Sequence, residues 1–597
     1  MKIEIKYKDV FIQDVKVGDL VKSFDIETEK IRHNRVGNTI LPIVEKERQV
    51  KIECDDGSQV TTSTTHPMCY FDFDSNKWSY KNTGEIKIGD TLRGQDSEVR
   101  VLDIKIGLDE DIQFYDLTVE RDNNFFAGED SDRMIVVHNS ATLYFPWWHK
   151  EIEDVLVLKN NKGTDDNRVR HMDYGIQFEK LFYTRFIQDK DISIFSPSDV
   201  PGLYDSFGLP EFEENYIKFE RDKSVPRKTV KARDLMNAFA QERIGTGRMY
   251  VMNIDNANNN SPFLERLKMS NLCVEIVLPT SPIESIYDID HKGENEDKSN
   301  GEIALCTLAA FNLGNIKSFK ELHKVAEYIV RILEYVVENQ DYPINAAKKM
   351  LKRRSVGVGV TNFAYWLAKQ GIKYSDKEAL FYVDELFENI QFSLLRASNK
   401  LSQELGPCEW FDKTTYSKGI LPIDRYNKNV DELIKRDYSC DWEELREEIQ
   451  KFGLRNSVLT AIMPAESSAV IQSATNGIEP IRSLVITKKS KSGLIKQVAP
   501  ECIKLKNKYE LAFDMPDNRG YTNIVAVIQK WIDQSVSANH YYHYSNDGIS
   551  IAGVIKDILY SYKYGLKTLY YANTDDKKSD DMDSMGEAGC ESGACSI

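Results

Sequence analysis

The sequence predicts a multidomain chain: an all-β module, a larger α/β portion and a flexible carboxy-terminal tail. Three observations predict it. Up to about residue 139, short alternating runs such as Val50-Lys51-Ile52-Glu53-Cys54 are bounded by turn residues such as Asp55-Asp56-Gly57, and helical periodicity is nearly absent. From about residue 140, long amphipathic helices alternate with short apolar runs, the rhythm of an α/β domain. From Asp575 to Ile597 that periodicity is lost among Asp575, Asp576, Asp580, Asp581, Asp583 and Glu587. The segments are therefore 1–139, 140–574 and 575–597.

Within the β module, Val15-Lys16-Val17-Gly18-Asp19-Leu20 returns as Ile86-Lys87-Ile88-Gly89-Asp90-Thr91, which hints at a duplicated β unit. In the α/β portion, Ser318 and Glu321 stand at capping-box spacing. Ahead of them lie Leu322, Val325, Ile329, Ile332, Leu333 and Val336, an apolar stripe at helical period.

The 597 residues hold 78 Lys+Arg against 94 Asp+Glu, a net charge of -16, with 41% hydrophobic residues, ordinary for a globular chain. No stretch of about 18 apolar residues occurs, and Met1-Lys2-Ile3-Glu4 places charge where a signal peptide needs an apolar core. A cytoplasmic chain with no membrane span is expected. The acidic balance argues against gripping a DNA backbone, so no direct DNA binding is expected. Nine scattered cysteines, at 54, 69, 273, 306, 408, 440, 502, 590 and 595, read as reduced thiols rather than a disulfide scaffold. Cys590 and Cys595, behind a small-residue acidic run, have the character of a mobile dithiol, and with no further His or Cys nearby they make a poor zinc site. No metal is expected on this chain.

His138-Asn139-Ser140 can do chemistry on a peptide bond. An Asn amide can attack its own carbonyl and cut the chain after itself, a neighbouring His can polarise that carbonyl, and a following Ser can accept an acyl group. Alone, the tripeptide reads as a surface turn. It follows Gly57-x-x-Val60-x-x-Ser63-x-x-His66, then Tyr115-Asp116-Leu117-Thr118-Val119 and Asn124-Phe125-Phe126-Ala127-Gly128. That order resembles the carboxy-terminal part of an intein, the self-splicing Hint fold. The resemblance implies that Ser63 and His66 form the block that activates an upstream amide, that Asp116 assists, and that His138, Asn139 and Ser140 complete splicing. Ser63 stands where Thr is usual, Asn123 where His is often found, and Met1 where a nucleophilic Cys or Ser begins the family's first block. A split intein is therefore implied, its amino-terminal piece carried by another polypeptide, with an inactive relic as the alternative.

Asn271-Leu272-Cys273-Val274-Glu275 is the most informative pentapeptide. In a strand or strand-like loop its amide, thiol and carboxylate share one face while Leu272 and Val274 pack. A hydrolytic cysteine would need a His base, and His291 and His323 carry no supporting motif; a buried structural cysteine is the plainer reading. Glu466-Ser467-Ser468, after Met463-Pro464-Ala465, reads either as the capped start of an apolar helix or as a phosphate-binding turn. Tyr570-Tyr571 would be core aromatics in an arbitrary protein.

Longer segments resemble the large subunit of class I ribonucleotide reductase: Asn160-Asn161-Lys162-Gly163, Arg168 to Gly175, Ser196 to Tyr204, Gly301 to Thr307, Ala474 to Pro480 and Leu569-Tyr570-Tyr571. The fold implied is a partial ten-stranded α/β barrel of the ribonucleotide reductase type, with a finger loop that carries the radical cysteine. Implied roles follow by position. Cys273 would be the thiyl radical, Glu275 the base at the 3'-hydroxyl, and Asn271 a hydrogen-bond partner of the sugar. Cys306 would be one of two redox cysteines, its partner lying upstream of residue 140. Glu466, Ser467 and Ser468 would cradle the substrate diphosphate, and Tyr570 and Tyr571 would relay the radical from a small subunit with a dinuclear metal and tyrosyl radical. Cys590 and Cys595 would be the swinging dithiol served by thioredoxin or glutaredoxin. No cofactor is expected on this chain itself, and effectors such as ATP and dATP are expected on the upstream half.

Together the two resemblances imply a precursor, joined by trans-splicing to an upstream large-subunit half and then acting as a homodimer on ribonucleoside diphosphates. The rivals are a two-piece reductase assembled without ligation, and a cobalamin-dependent class II enzyme in which Tyr570 and Tyr571 have no task.

Overall fold

The computed structural model describes residues 20–138, apart from 26–29, 41–42, 45–48, 56–58, 64–66, 73–76, 94–97, 107–111, 114–115, 120–123 and 131–132, and residues 142–575, apart from 161–167, 170–171, 291–294, 491–492 and 544–548. No described helix is long and apolar enough to cross a membrane.

The described part of 20–138 is antiparallel sheet. Leu20–Asp25 pairs with Lys30–Ile40, which pairs with Asp116–Val119. A larger sheet runs in the order Asn124–Asp130, Arg133–His138, Pro67–Asp72, Thr91–Arg93, Glu98–Ile106, Gln49–Cys54, Gln59–Ser63, with Lys77–Asn82 also paired to Pro67–Asp72. Alternation drives it. Val50, Ile52 and Cys54 are buried with Met68, Leu92, Val99 and Val101, while Lys51 and Glu53 between them remain half-exposed. The second copy of the repeat is a turn: Gly89 sits at φ 96, the Asp90 carboxylate accepts from the Lys87 N–H at 2.8 Å, and the chain enters Thr91–Arg93. Leu20 of the first copy also opens a strand.

In the α/β portion, Thr142–Pro146, Asp173–Phe178 and Met249–Asn253 are parallel neighbours, and Thr568–Leu569 runs antiparallel along Met249–Asn253. Helices such as Ala232–Thr246 make the crossovers. Thr307–Asn312 lies parallel to Val356–Thr361, whose residues are all buried, as parallel strands covered on both faces must be. Parallel bridges then link Val358 to Thr460 and Ile462 to Val536. Among the described residues these strands form an open array rather than a closed ring, because the antiparallel Thr568–Leu569 ends one sheet after two residues. The ten-stranded closure implied by resemblance is thus not seen among the described residues, which show only parallel segments of it.

The helix Phe319–Asn339 has the expected cap, with Ser318 Oγ accepting from the Glu321 N–H at 3.3 Å. The return bond goes elsewhere: the Glu321 carboxylate accepts from the Lys317 N–H at 2.9 Å. The buried stripe is Leu322, Ala326, Val330, Leu333 and Val337, whereas Ile332 is 62% exposed. Both sets keep the helical period, but the packed face is turned by one position, with the small Ala326, Val330 and Val337 inward in place of Val325, Ile329 and Val336.

Candidate active site

Residues 271–275 form a tight turn, which corrects the extended-strand expectation. The Val274 N–H donates to the Asn271 carbonyl at 3.3 Å, and Val274 lies at φ 63, a left-handed conformation that a β-branched residue avoids. The side chains converge by chain reversal rather than by alternation. Asn271 Nδ2 donates to Glu275 Oε1 at 2.9 Å, and Asn271 Oδ1 accepts from the Ile276 N–H at 3.0 Å.

The strain is held from outside. Tyr144 Oη donates to the Asn271 carbonyl at 2.5 Å, and Thr568 Oγ1 donates to the Val274 carbonyl at 2.9 Å. Ser537 Oγ sits 2.5 Å from the Cys273 carbonyl and 3.3 Å from Glu275 Oε2, and the Ser535 N–H donates to the Glu275 carbonyl at 2.9 Å. Cys273 and Glu275 are both buried.

Tyr570 and Tyr571 stand beside the thiol. Tyr570 Oη is 3.5 Å from Cys273 Sγ and 2.8 Å from Tyr571 Oη, and the two rings are 3.8 Å apart. Burial pushes the Tyr570 phenol far above its usual range, with Cys273 and the neighbouring tyrosines adding to the shift. Tyr250 packs against both rings, at 5.0 and 5.9 Å, and donates to Asp173 Oδ2 at 2.9 Å. Behind the pair, the fully buried Arg243 guanidinium donates to the Tyr570 carbonyl at 2.8 Å, and burial draws its pKa down to about 10.

Cys306 belongs to the same neighbourhood. Burial pushes its thiol up to about 12; the Gln534 amide opposes that rise, and the Glu275 carboxylate adds to it.

At Glu466–Ile471 the expected apolar helix is a short, surface one, with Ile471 85% exposed. Its cap comes from Asn476, whose Oδ1 accepts from the Ala465 and Glu466 N–H groups at 2.7 and 2.9 Å, while Ser467 and Ser468 are exposed. Asn476 Nδ2 also donates to Glu466 Oε1 at 3.1 Å and to Glu479 Oε2 at 3.2 Å. Burial, then the Glu466 carboxylate, pushes Glu479 up to about 8.

Among the splicing candidates, Ser63, Asp116 and His138 lie in strands, and His66, Asn139 and Ser140 lie outside the described residues, as do Cys590 and Cys595. Val137 pairs with Met68, so the strand ending at His138 neighbours the one that begins immediately after His66. Among the described residues no cluster of three or more His, Cys, Asp or Glu could hold a metal ion.

Sequence reasoning missed Tyr250, Arg243, Gln534, Ser537 and Thr568. One signal was present: Asp533-Gln534-Ser535-Val536-Ser537-Ala538-Asn539 is polar at most positions and carries no charged residue after Asp533, and every residue of it is buried. A polar run of that kind is kept inside only when its groups find partners.

Residues 138–572 match the family model described as "Ribonucleotide reductase, barrel domain". The chain is similar to "Ribonucleoside-diphosphate reductase subunit alpha" of Haemophilus influenzae, 50% identical over 467 residues, or 77% of this chain and 60% of that protein. It is similar to the "Ribonucleoside-diphosphate reductase 1 subunit alpha" of Escherichia coli, 50% identical over 471 residues, 77% of this chain and 61% of that protein. The subunit alpha of Enterobacteria phage T4 is 42% identical over 455 residues, 74% of this chain and 58% of that protein. This chain thus spans about three-fifths of the length of the relatives it matches. Since the matched stretch is well over half of the chain and contains the thiol, the carboxylate and both tyrosines, the chain belongs to the ribonucleotide reductase family through its barrel domain.

Proposed function

We propose that residues from Ser140 onward are the carboxy-terminal portion of a ribonucleoside-diphosphate reductase large subunit, which makes 2'-deoxyribonucleotides by thiyl-radical chemistry. The line Tyr571, Tyr570, Cys273 carries this reading. A hydroxyl has one proton. With Tyr570 donating to Tyr571, the Cys273 S–H is left to donate to Tyr570 oxygen. A radical arriving at Tyr571 then takes the hydrogen atom of Tyr570, which takes that of Cys273. The buried Tyr570 phenol does not ionise, so at this residue electron and proton travel together.

The thiyl radical removes the 3'-hydrogen of the ribose. Glu275, held by Asn271 and Ser537, takes the 3'-hydroxyl proton. The 2'-hydroxyl leaves as water with a proton from the redox thiols, Cys306 and an upstream partner. As these become a disulfide their other hydrogen goes to C2', Glu275 returns its proton to the 3'-oxygen, and Cys273 returns its hydrogen to C3' and is again a thiyl radical. Cys590 and Cys595 reduce the disulfide and are themselves reduced by thioredoxin or glutaredoxin. Glu466, Ser467 and Ser468 are the proposed diphosphate contacts. The small subunit with its dinuclear metal and tyrosyl radical, nucleotide effectors on the upstream half, a homodimer and a cytoplasmic setting complete the proposal.

Residues 1–139 are proposed to be the carboxy-terminal part of an intein that ligates the reductase portion to its upstream half. Two observations support this: the family match begins at residue 138, and the strands flanking His66 and ending at His138 are neighbours. The hydrogen-bonded tyrosine pair favours a small-subunit radical source over a cobalamin.

The test is product formation by the ligated enzyme with and without a small subunit, alongside Cys273→Ser. Turnover that persists in Cys273→Ser sinks the reductase reading, and turnover without the small subunit sinks the class I assignment.

A further inference from the structure

Gln534 is fully buried, and both N–H groups and the oxygen of its side-chain amide have partners. Its Oε1 accepts from the Val277 N–H at 3.2 Å, two residues beyond Glu275, and its Nε2 donates to the Val356 carbonyl at 3.3 Å. Those two backbone partners fix which end of the amide is oxygen, since a carbonyl requires a donor and an N–H an acceptor. The remaining N–H is left for Cys306 Sγ, 3.2 Å from Nε2. Gly357 leaves the sulfur room: a Cβ there would stand 2.9 Å from it.

The backbone of Gln534 is equally fixed. Its N–H donates to the Thr460 carbonyl at 3.1 Å, and its carbonyl accepts from Gln529 Nε2 at 3.0 Å. The preceding Asp533 accepts from Arg425 at 2.8 Å, from Gln391 at 3.0 Å and from the Leu459 N–H at 2.8 Å. The amide is therefore presented to the sulfur from a buried loop whose backbone is hydrogen-bonded on both sides.

We propose that Gln534 is a positioning residue for the reductive step, seating the Cys306 sulfur and donating an N–H to it as it becomes a thiolate, so that Cys306 is the sulfur that departs when the active-site disulfide is opened. In that exchange a thiolate of the tail dithiol bonds to the other sulfur of the disulfide. The S–S bond to Cys306 breaks, its electron pair stays on Cys306, and the thiolate then takes a proton. An N–H bond to a neutral sulfur is weak, whereas one to a thiolate is charge-assisted, so the donor acts mainly on the departing form. A leaving thiol of lower pKa leaves faster. Burial and the Glu275 carboxylate both work against the Cys306 thiolate, and Gln534 is the group that opposes them. The existence of the disulfide rests on the reductase reading; the effect of Gln534 on the Cys306 sulfur does not.

The test is iodoacetamide alkylation of the full chain from pH 8 to 11, followed cysteine by cysteine by mass spectrometry. Below a thiol's pKa the rate follows the thiolate fraction, so one unit of pKa reads as tenfold. Gln534→Leu removes both functions of the amide, and Gln534→Glu keeps the acceptor for Val277 but removes the donor. Each should slow Cys306 alkylation roughly tenfold at pH 9. The buried Cys408, which has no bond to Gln534, should stay as slow as in the unsubstituted chain. An unchanged Cys306 rate in either variant that keeps Cys408 protected overturns the proposal. So does exposure of Cys408 by the isosteric Gln534→Glu, since the amide would then be holding the core rather than the sulfur. Failure of the reductase reading would appear differently, as an unsubstituted ligated enzyme without turnover while Gln534→Leu and Gln534→Glu still slow Cys306 alkylation.

Discussion

The Tyr570 hydroxyl lies 3.5 Å from the Cys273 sulfur, within a buried cluster that also contains Tyr250 and Val274. Tyr570→Phe keeps the ring and its packing and deletes only the hydroxyl proposed to exchange hydrogen with the thiol. Turnover of the ligated enzyme with its small subunit should fall by roughly 10³-fold or more, a barrier increase of about 4 kcal/mol. The thermal midpoint should barely move. A variant that retains a tenth of the activity would show that the radical reaches Cys273 by another route.

On the proposed reading the β module and the barrel portion carry separate chemistries, so they should fail separately. Asn139→Ala removes the amide that would cut the chain and should abolish ligation to the upstream half, read as loss of the mass shift on electrophoresis. Cys273→Ser should leave ligation at the unsubstituted rate while abolishing nucleotide reduction. Ligation that survives Asn139→Ala would mean another residue cleaves the chain.

Much of this was legible in the sequence, for identifiable reasons. The β module announced itself because Val50, Ile52 and Cys54 alternate with Lys51 and Glu53, and the structure buries that set. The chemical trio was legible as residue types, but its geometry was not. Alternation suggested a strand, whereas the bonds from Tyr144, Thr568 and Ser537 hold Val274 at φ 63, and all three donors are distant in sequence. Gln534 and Arg243 were hidden for a similar reason: each acts through partners more than a hundred residues away, Cys306 for the first and the Tyr570 carbonyl for the second. The helix Phe319–Asn339 was placed correctly and its buried face was off by one position, since two neighbouring apolar sets share the helical period and only the packing partners choose between them.

Val274 offers a way to weigh strain against packing. A non-glycine residue held at positive φ costs on the order of 1–3 kcal/mol, and burying a valine side chain returns about 1.5–3 kcal/mol. Val274→Gly removes both, so the thermal stability should change by less than about 1 kcal/mol, while Val274→Ala, which keeps the strain and loses two buried methyl groups, should cost more. Both should reduce turnover, because the turn that holds Cys273 against Tyr570 loses a packed side chain. Should Val274→Gly prove as damaging to stability as Val274→Ala, the strain at this turn is negligible.

The Glu466–Asn476–Glu479 cluster makes a prediction about pH. Burial, reinforced by the Glu466 carboxylate, raises Glu479 from 4.5 to about 8 in the folded chain. Below about pH 4.5 the carboxyl is protonated in both states and contributes no pH dependence. Between there and pH 8 the unfolded chain gives up this proton and the folded chain keeps it. Unfolding thus releases a proton, and stability falls as pH rises until the folded carboxyl also ionises. Glu479→Gln removes the ionisation while keeping the shape. The variant should resemble the unsubstituted chain at pH 5 and exceed its stability at pH 9 by on the order of 1–3 kcal/mol, read by thermal unfolding at pH 5, 7 and 9. Glu466→Gln should shift the upper edge of the window downward, because it removes the like charge that helps keep Glu479 protonated. Parallel stability curves for Glu479→Gln and the unsubstituted chain would mean that Glu479 ionises as readily when folded as when unfolded, and that Asn476 bridges two carboxylates rather than a carboxylate and an acid.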